Sequence, residues 1–367
     1  MKIPNPDDLF RLAPENASAA LEASPLLPPR ARRPKPKKRR LSLALQGGGS
    51  FGAFTWGVLD RLLEEDDLAF DAVSGASAGA MNAVMLAAGL AEGGRPAARR
   101  ALHDFWQSAS EAAPRQRSGV AAAITTHVLS PYQFNPFNLN PLRTILSETV
   151  DFEALRAAPP LRLLIAATRV ADGKLRIFRE KELSLDVVLA SSCLPLLHHA
   201  VSIDGETYWD GGYAANPPLL PLIAASRAPD ALLVQIMPSA GEEMPTSALE
   251  IARRMDQITF NSSLQHELEA LAAMKKLSAS DPPATRLSKK LHGLRLHHMA
   301  AEKEVPTLAH SSALNLDWDF LIGLRDAGRA AAERWLAEDF ARPAPAAGPT
   351  RERAREAGEE LVAAAPL

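Results

Sequence analysis

From Leu41 onward the chain alternates short apolar runs with longer periodic ones. Leu41–Gln46 (LSLALQ) is too short for a helix and predicts a buried strand, and it runs straight into Gly47, Gly48 and Gly49. Over Ala53–Glu65 the period changes: Phe54, Val58, Leu59, Leu62 and Leu63 share one helical face. Phe70–Ser74 predicts a second strand, followed by a sharp turn at Gly75–Gly79 and a helix over Ala80–Leu90. Strand, loop, helix, strand, turn, helix is the grammar of a parallel sheet covered by helices. Downstream, Leu161–Val170 and Lys174–Phe178 read as strands joined at Asp172-Gly173, and Val187–Cys193 as a short helix ended by Pro195. Ala200–Ile203 and Thr207–Trp209 read as a hairpin around Asp204-Gly205, and Ala231–Ile236 as another buried strand. Two long helical segments follow, Leu249–Leu277 and Trp318–Leu336.

The ends have a different texture. Residues 1–40 are rich in Pro, Ala and Arg and lack periodicity, which predicts a disordered arm. Its basic end (Arg30 to Arg40) offers peripheral contact with anionic lipid, at about 1 kcal/mol per basic residue. The plainer reading is a solvated linker. Residues 341–367 are similarly biased and are expected to form a flexible tail. This leaves 41–340 as the folded domain, with a core over about 41–240 and a helical extension over 241–340 that supplies core and a partial lid.

Composition narrows the class. With 47% hydrophobic residues the chain can bury a large core, and a net charge of -2 gives no electrostatic case for nucleic acid. One cysteine, Cys193, excludes an intrachain disulfide and a thiolate metal cluster from one chain. The longest apolar stretch, Ala83–Ala91, is far short of the ~20 residues a bilayer requires. The acidic start (Asp7, Asp8) and the late basic run do not fit a signal peptide. The expected location is the cytoplasm, with peripheral contact at a lipid surface through the arm as the alternative to a solvated linker. Oligomeric state is not legible.

The candidate chemistry begins at Gly75-Ala76-Ser77-Ala78-Gly79, a G-x-S-x-G sequence between a predicted strand and a small-residue helix. Such a turn holds the serine in a sparsely allowed conformation, and the flanking glycines let neighbouring backbone pass. The hydroxyl then stands at the carboxyl end of a strand and at a helix N-terminus, which favours developing negative charge. The alternative is an ordinary glycine-rich turn.

Gly47, Gly49 and Gly52 also fit the G-x-G-x-x-G dinucleotide fingerprint. That reading requires an acidic residue at the end of the second strand. The strand ends in Val73-Ser74, and Asp71 lies at its start, so the reading fails. Bare amides of Gly47, Gly48 and Gly49 beside Ser77 would instead suit an oxyanion hole, whose donors are each worth about 3 kcal/mol in the transition state.

A serine nucleophile needs a base. The late histidines, among them His298 and His310, lie in no loop that singles one out, although a Ser–His–Asp esterase or intracellular polyester depolymerase would use one. Asp210 follows Tyr208-Trp209 and precedes Gly211-Gly212, on a tight turn. It is either turn chemistry or a carboxylate base whose pKa burial raises.

The order GGGSFG, GASAG, DGG resembles the patatin-like phospholipases, and SSCLPLL and NPPLLPL resemble bacterial members. The resemblance spans about residues 41–240. It implies a three-layer α/β/α core with a mainly parallel sheet and a Ser–Asp dyad without histidine. Ser77 would be nucleophile and Asp210 proton acceptor, with Gly47–Gly49 as oxyanion hole and Gly52, Gly75, Gly79, Gly211 and Gly212 as supporting glycines. It implies a lipid or other acyl-ester substrate and no metal or cofactor. Many members carry Arg or Lys where this chain has Phe51, so headgroup binding by that loop is in question. A third reading is a non-catalytic membrane-surface protein with a degenerate site.

Overall fold

The computed structural model describes residues 38–113, 129–241, 244–279 and 285–340. The expected arm up to residue 37 and the tail from 341 lie outside them. The first strand, β1, covers Arg39–Leu45 and so takes in the last two residues of the expected arm. α1 follows at Gly52–Leu62, β2 at Leu68–Gly75 and α2 at Ala78–Glu111, the last broken at Gly93 and Gly94. β3 (Arg162–Arg169) and β4 (Leu175–Arg179) form the predicted hairpin. Next come α3 (Leu185–Ser191), β5 (Val201–Ile203), β6 (Glu206–Asp210), α4 (Leu219–Ala225) and β7 (Asp230–Gln235). The chain ends on α5 (Ala248–Ala279), β8 (Arg295–Ala300) and α6 (Trp318–Trp335).

The eight-stranded sheet runs β5-β6-β3-β2-β1-β7-β8, with β4 also on β3. Pairings among β3, β2, β1, β7 and β8 are parallel. Strand alternation divides the core in two. Leu41, Leu43 and Leu45 of β1, Leu163 and Ile165 of β3 and Leu232 and Val234 of β7 face α1, α2 and α6. Ala44, Leu164, Ala231 and Leu233 face α4 and α5, where Leu219, Leu222, Leu264 and Leu271 are fully or almost fully buried. Both faces are covered, which is why the strands read as near-continuous apolar runs. This is a three-layer α/β/α core with a mainly parallel sheet. Each fully buried leucine contributes roughly 1.5–3 kcal/mol.

Two expectations change here. α1 is buried nearly all round rather than on one face, because α6 lies over it: a Cβ on Gly57 would sit 1.9 Å from Arg325 O. The region beyond 240 is not purely helical, since Arg295–Ala300 (RLHHMA) adds a parallel strand beside β7. That strand carries polar side chains that pair locally, His297 with Asp230 and His298 with Gln235, and so it lacks the apolar alternation that identifies a strand. No helix among the described residues is long and apolar enough to cross a membrane.

Candidate active site

The sheet brings the three motifs to one end of its strands. Leu45 pairs with Gly75, so Gly47 and Ser77, each two residues further on, leave adjacent parallel strands side by side. They are in tight contact: a Cβ on Gly47 would lie 2.5 Å from Ala76 O and 2.7 Å from Ser77 Cβ. Ser77 adopts φ 52° and ψ -124°, a left-handed conformation that costs a non-glycine residue roughly 1–3 kcal/mol. Its N–H donates to both the carbonyl and the hydroxyl of Ser191, at 3.0 and 3.1 Å, at the end of α3. The flanking glycines fit the predicted role, since a side chain on Gly75 would meet Gly79, and one on Gly79 would meet Leu45 O. Gly52 is likewise closed by Ala78 and Trp106.

Asp210 reaches the elbow by a different route. β4 occupies one edge of β3 throughout Leu164–Thr168. On the other edge β2 pairs with Arg162–Ile165, and β6 then pairs antiparallel with Ala167–Arg169. β2 and β6 therefore meet end to end, with Gly75 opposite Ile165 and Asp210 opposite Ala167. The backbone of Asp210 is held on both sides, its N–H donating to Cys193 O at 2.9 Å and its carbonyl accepting from Thr168 Oγ1 at 2.7 Å. Gly211 and Gly212 let the turn close against Ala166 and the Phe260 ring. Asp210 Oδ1 accepts the Gly212 N–H at 2.7 Å.

Residues 43–223 match the family model for patatin-like phospholipases. This stretch is a patatin-like phospholipase domain. It runs from β1 to α4 and contains the glycine loop, the elbow and Asp210, within a family of lipid acyl hydrolases. The chain is 24% identical over 298 residues to the uncharacterized protein YjjU of Escherichia coli (strain K12), covering 73% of each. Against the crystal structure of VipD from Legionella pneumophila it aligns with a TM-score of 0.34 and 14% identity, over 80% of this chain and 67% of that one.

Within this patatin-like site Asp210 is fully buried and Ser77 is 8% exposed. Burial drives the Asp210 carboxyl up to about 7, against smaller opposing pulls from the Gly212 N–H and the Ser77 hydroxyl. Oδ2 has no donor in full hydrogen-bonding geometry. The Ser77 hydroxyl lies near enough to pull slightly on the carboxyl. Among the described residues no histidine hydrogen-bonds to Ser77 or Asp210. His298 is bonded to Gln235 Oε1 at 2.8 Å and pushed by burial down to about 4, while His310 is exposed.

The expected donor set needs one correction. The Gly47 N–H is already committed to Asn216 Oδ1 at 2.7 Å, so it is removed from the oxyanion hole. The amides of Gly48 and Gly49 donate to no group among the described residues, and neither does that of Ala78 at the start of α2. Phe51 is 2% exposed and packs edge-on against Phe320 of α6, at 6.4 Å between centroids. Its place in the loop is filled by core rather than by a cation.

The sequence reading gave no role to Ser191, Asn216, Gln46 or Asn261, although Ser191 and Asn216 open the SSCLPLL and NPPLLPL motifs. Gln46 is fully buried and accepts the Ile236 and Met237 amides at 2.8 Å each, while its Nε2 donates to Asn261 Oδ1 at 2.9 Å. A polar residue closing an apolar strand run was the available signal for Gln46; for the others the partner lies too far along the chain.

Proposed function

We propose that the protein hydrolyses carboxylic esters of lipids through an acyl-enzyme on Ser77, with Asp210 as its base. The observation that carries this reading is the wholly buried Asp210, brought by β6 to the end of β2 where the strained Ser77 turn begins; burial pushes its carboxyl up to about 7. A carboxylate of that basicity can accept a serine proton near neutral pH.

Ser77 Oγ attacks the ester carbonyl as its proton passes to Asp210. The tetrahedral oxyanion accepts hydrogen bonds from the Gly48 and Gly49 amides, aided by the N-terminus of α2. Collapse breaks the ester C–O bond, and the alcohol leaves with the proton from Asp210. Water then gives a proton to Asp210, attacks the acyl-serine and releases the acid, and the proton returns to Ser77. No step draws on a metal or cofactor. With Phe51 in the core, the glycine loop supplies no cation for a phosphate, so recognition through the acyl chain fits better than recognition through a charged headgroup.

Turnover of p-nitrophenyl esters and of dispersed glycerolipids, with covalent labelling by a fluorophosphonate, tests the reading. Ser77→Ala should lose both labelling and turnover. Asp210→Asn should lose turnover by at least about a thousandfold while remaining folded. Wild-type rates in either variant would refute the pair.

A further inference from the structure

Asn216 follows the Asp210 turn and has no solvent exposure. Its hydrogen-bonding groups are fully engaged. Oδ1 accepts the Gly47 N–H at 2.7 Å, and Nδ2 donates to Gly47 O at 3.1 Å and to Phe260 O at 3.0 Å. Its own N–H donates to Ser263 Oγ at 3.1 Å. The paired bonds to Gly47 copy what a neighbouring strand would offer, at the point where β1 has left the sheet. A buried carboxamide with every group satisfied is rigid, and losing either partner leaves the other unpaired.

Gly47 is also the point where the glycine loop touches the nucleophile. A Cβ there would overlap Ala76 O and Ser77 Cβ, so displacement towards the elbow is blocked, and displacement away breaks the Asn216 bonds. Gln46 fixes the loop to the end of β7. The side chain of Asn216 ties the loop to the segment that carries Asp210. Base and oxyanion loop therefore share one fastening.

We propose that Asn216 is a positioning residue that sets the glycine loop in register with Ser77. By occupying the Gly47 amide it leaves oxyanion binding to Gly48 and Gly49. This rests on the ester-hydrolase reading. Misplacement of reacting groups by about 1 Å can cost a hundredfold in rate, and loss of one oxyanion donor costs about 10²–10³ in kcat.

The test uses the full chain, with kcat and KM for p-nitrophenyl butyrate measured per Ser77 site titrated to completion by a fluorophosphonate. Asn216→Ala removes all three side-chain bonds. Asn216→Asp keeps the volume and the acceptor for the Gly47 amide, and sets a carboxylate against the Gly47 and Phe260 carbonyls. Both should lower kcat per titrated site by about 10²–10³. KM should change by less than about threefold, and in Asn216→Ala, which adds no charge, the pH midpoint should stay at the wild-type value because Asp210 is untouched. A structural role would reduce the titratable fraction and the melting temperature but leave kcat per titrated site unchanged, and that result would overturn the proposal. So would failure of both variants to fold. Wild-type protein without ester turnover, or Ser77→Ala protein with it, would sink the hydrolase reading instead and is visible in the same assays.

Discussion

Holding Asp210 ready as a base should cost the protein stability, and the cost should depend on pH. The carboxyl is raised from 3.8 to about 7 by burial. A group raised in the folded state is protonated there while the unfolded chain has already lost the proton. Its contribution is fully present below the unfolded pKa and is lost as pH rises through the folded one. At about 1.4 kcal/mol per unit, a shift of about three units makes a penalty on the order of 4 kcal/mol above neutrality. Asp210→Asn removes the ionisation and retains an acceptor for the Gly212 N–H. The variant should therefore be more stable than wild type at pH 8.5, and the advantage should shrink by about 3 kcal/mol at pH 5, where much of the wild-type carboxyl is protonated. Urea unfolding at both pH values, followed by tryptophan fluorescence, measures the difference. An Asp210→Asn advantage that is absent, or the same at pH 5 and 8.5, would show that the fold does not raise the Asp210 carboxyl above its unfolded value. The carboxylate would then be too weak a base for the serine near neutral pH.

The same carboxyl sets the rate profile: kcat/KM should rise with unit slope and level off around a midpoint of about 7. A flat profile between pH 5 and 8 would contradict a raised carboxylate base. In α6, Gly323 has open space around it, whereas a Cβ on Gly328 would meet Phe54 O at 2.1 Å. Gly323→Ala should stabilise by roughly 0.5–1 kcal/mol, and Gly328→Ala should destabilise by more than that, as read from urea midpoints; effects of the same sign would contradict the α1–α6 packing. Cys193 is buried, donates to His199 O at 3.0 Å, and has its thiol pushed up to about 12 chiefly by burial, with the Asp210 charge adding to it. Iodoacetamide at pH 8 should therefore spare it in the native protein and modify it in urea, and fast native labelling would refute this burial.

What was legible in the sequence is what the chain writes contiguously. The elbow announces itself because Gly75, Ser77 and Gly79 are local requirements of one turn, and each glycine meets the obstruction that the motif implies. The parallel layout was legible because both faces of β1, β2, β3 and β7 are covered, leaving apolar runs with turns between them. Strand β8 was missed because RLHHMA spends its polar residues on Asp230 and Gln235 rather than on solvent. Asp210 was readable only as the third motif in an ordered series. Its burial depends on β6 taking over the edge of β3 where β2 stops, a pairing no local pattern encodes.

The Gly47 amide shows the same limit from the other side. Three bare glycines suggested three donors, but one is taken by an asparagine 169 residues away. That loss makes the glycine loop and the Asp210 turn a single mechanical unit, since Asn216 holds Gly47 and Gly47 abuts Ser77. Residues that share a fastening of this kind do not contribute independently. Once Asn216 is truncated, the loop is already free of its register. A second substitution at Gly47 should then add much less to the loss in kcat than it does in the wild-type background. Full additivity would mean that the two residues act separately, and that the loop is held in place by Gln46 and β7 alone.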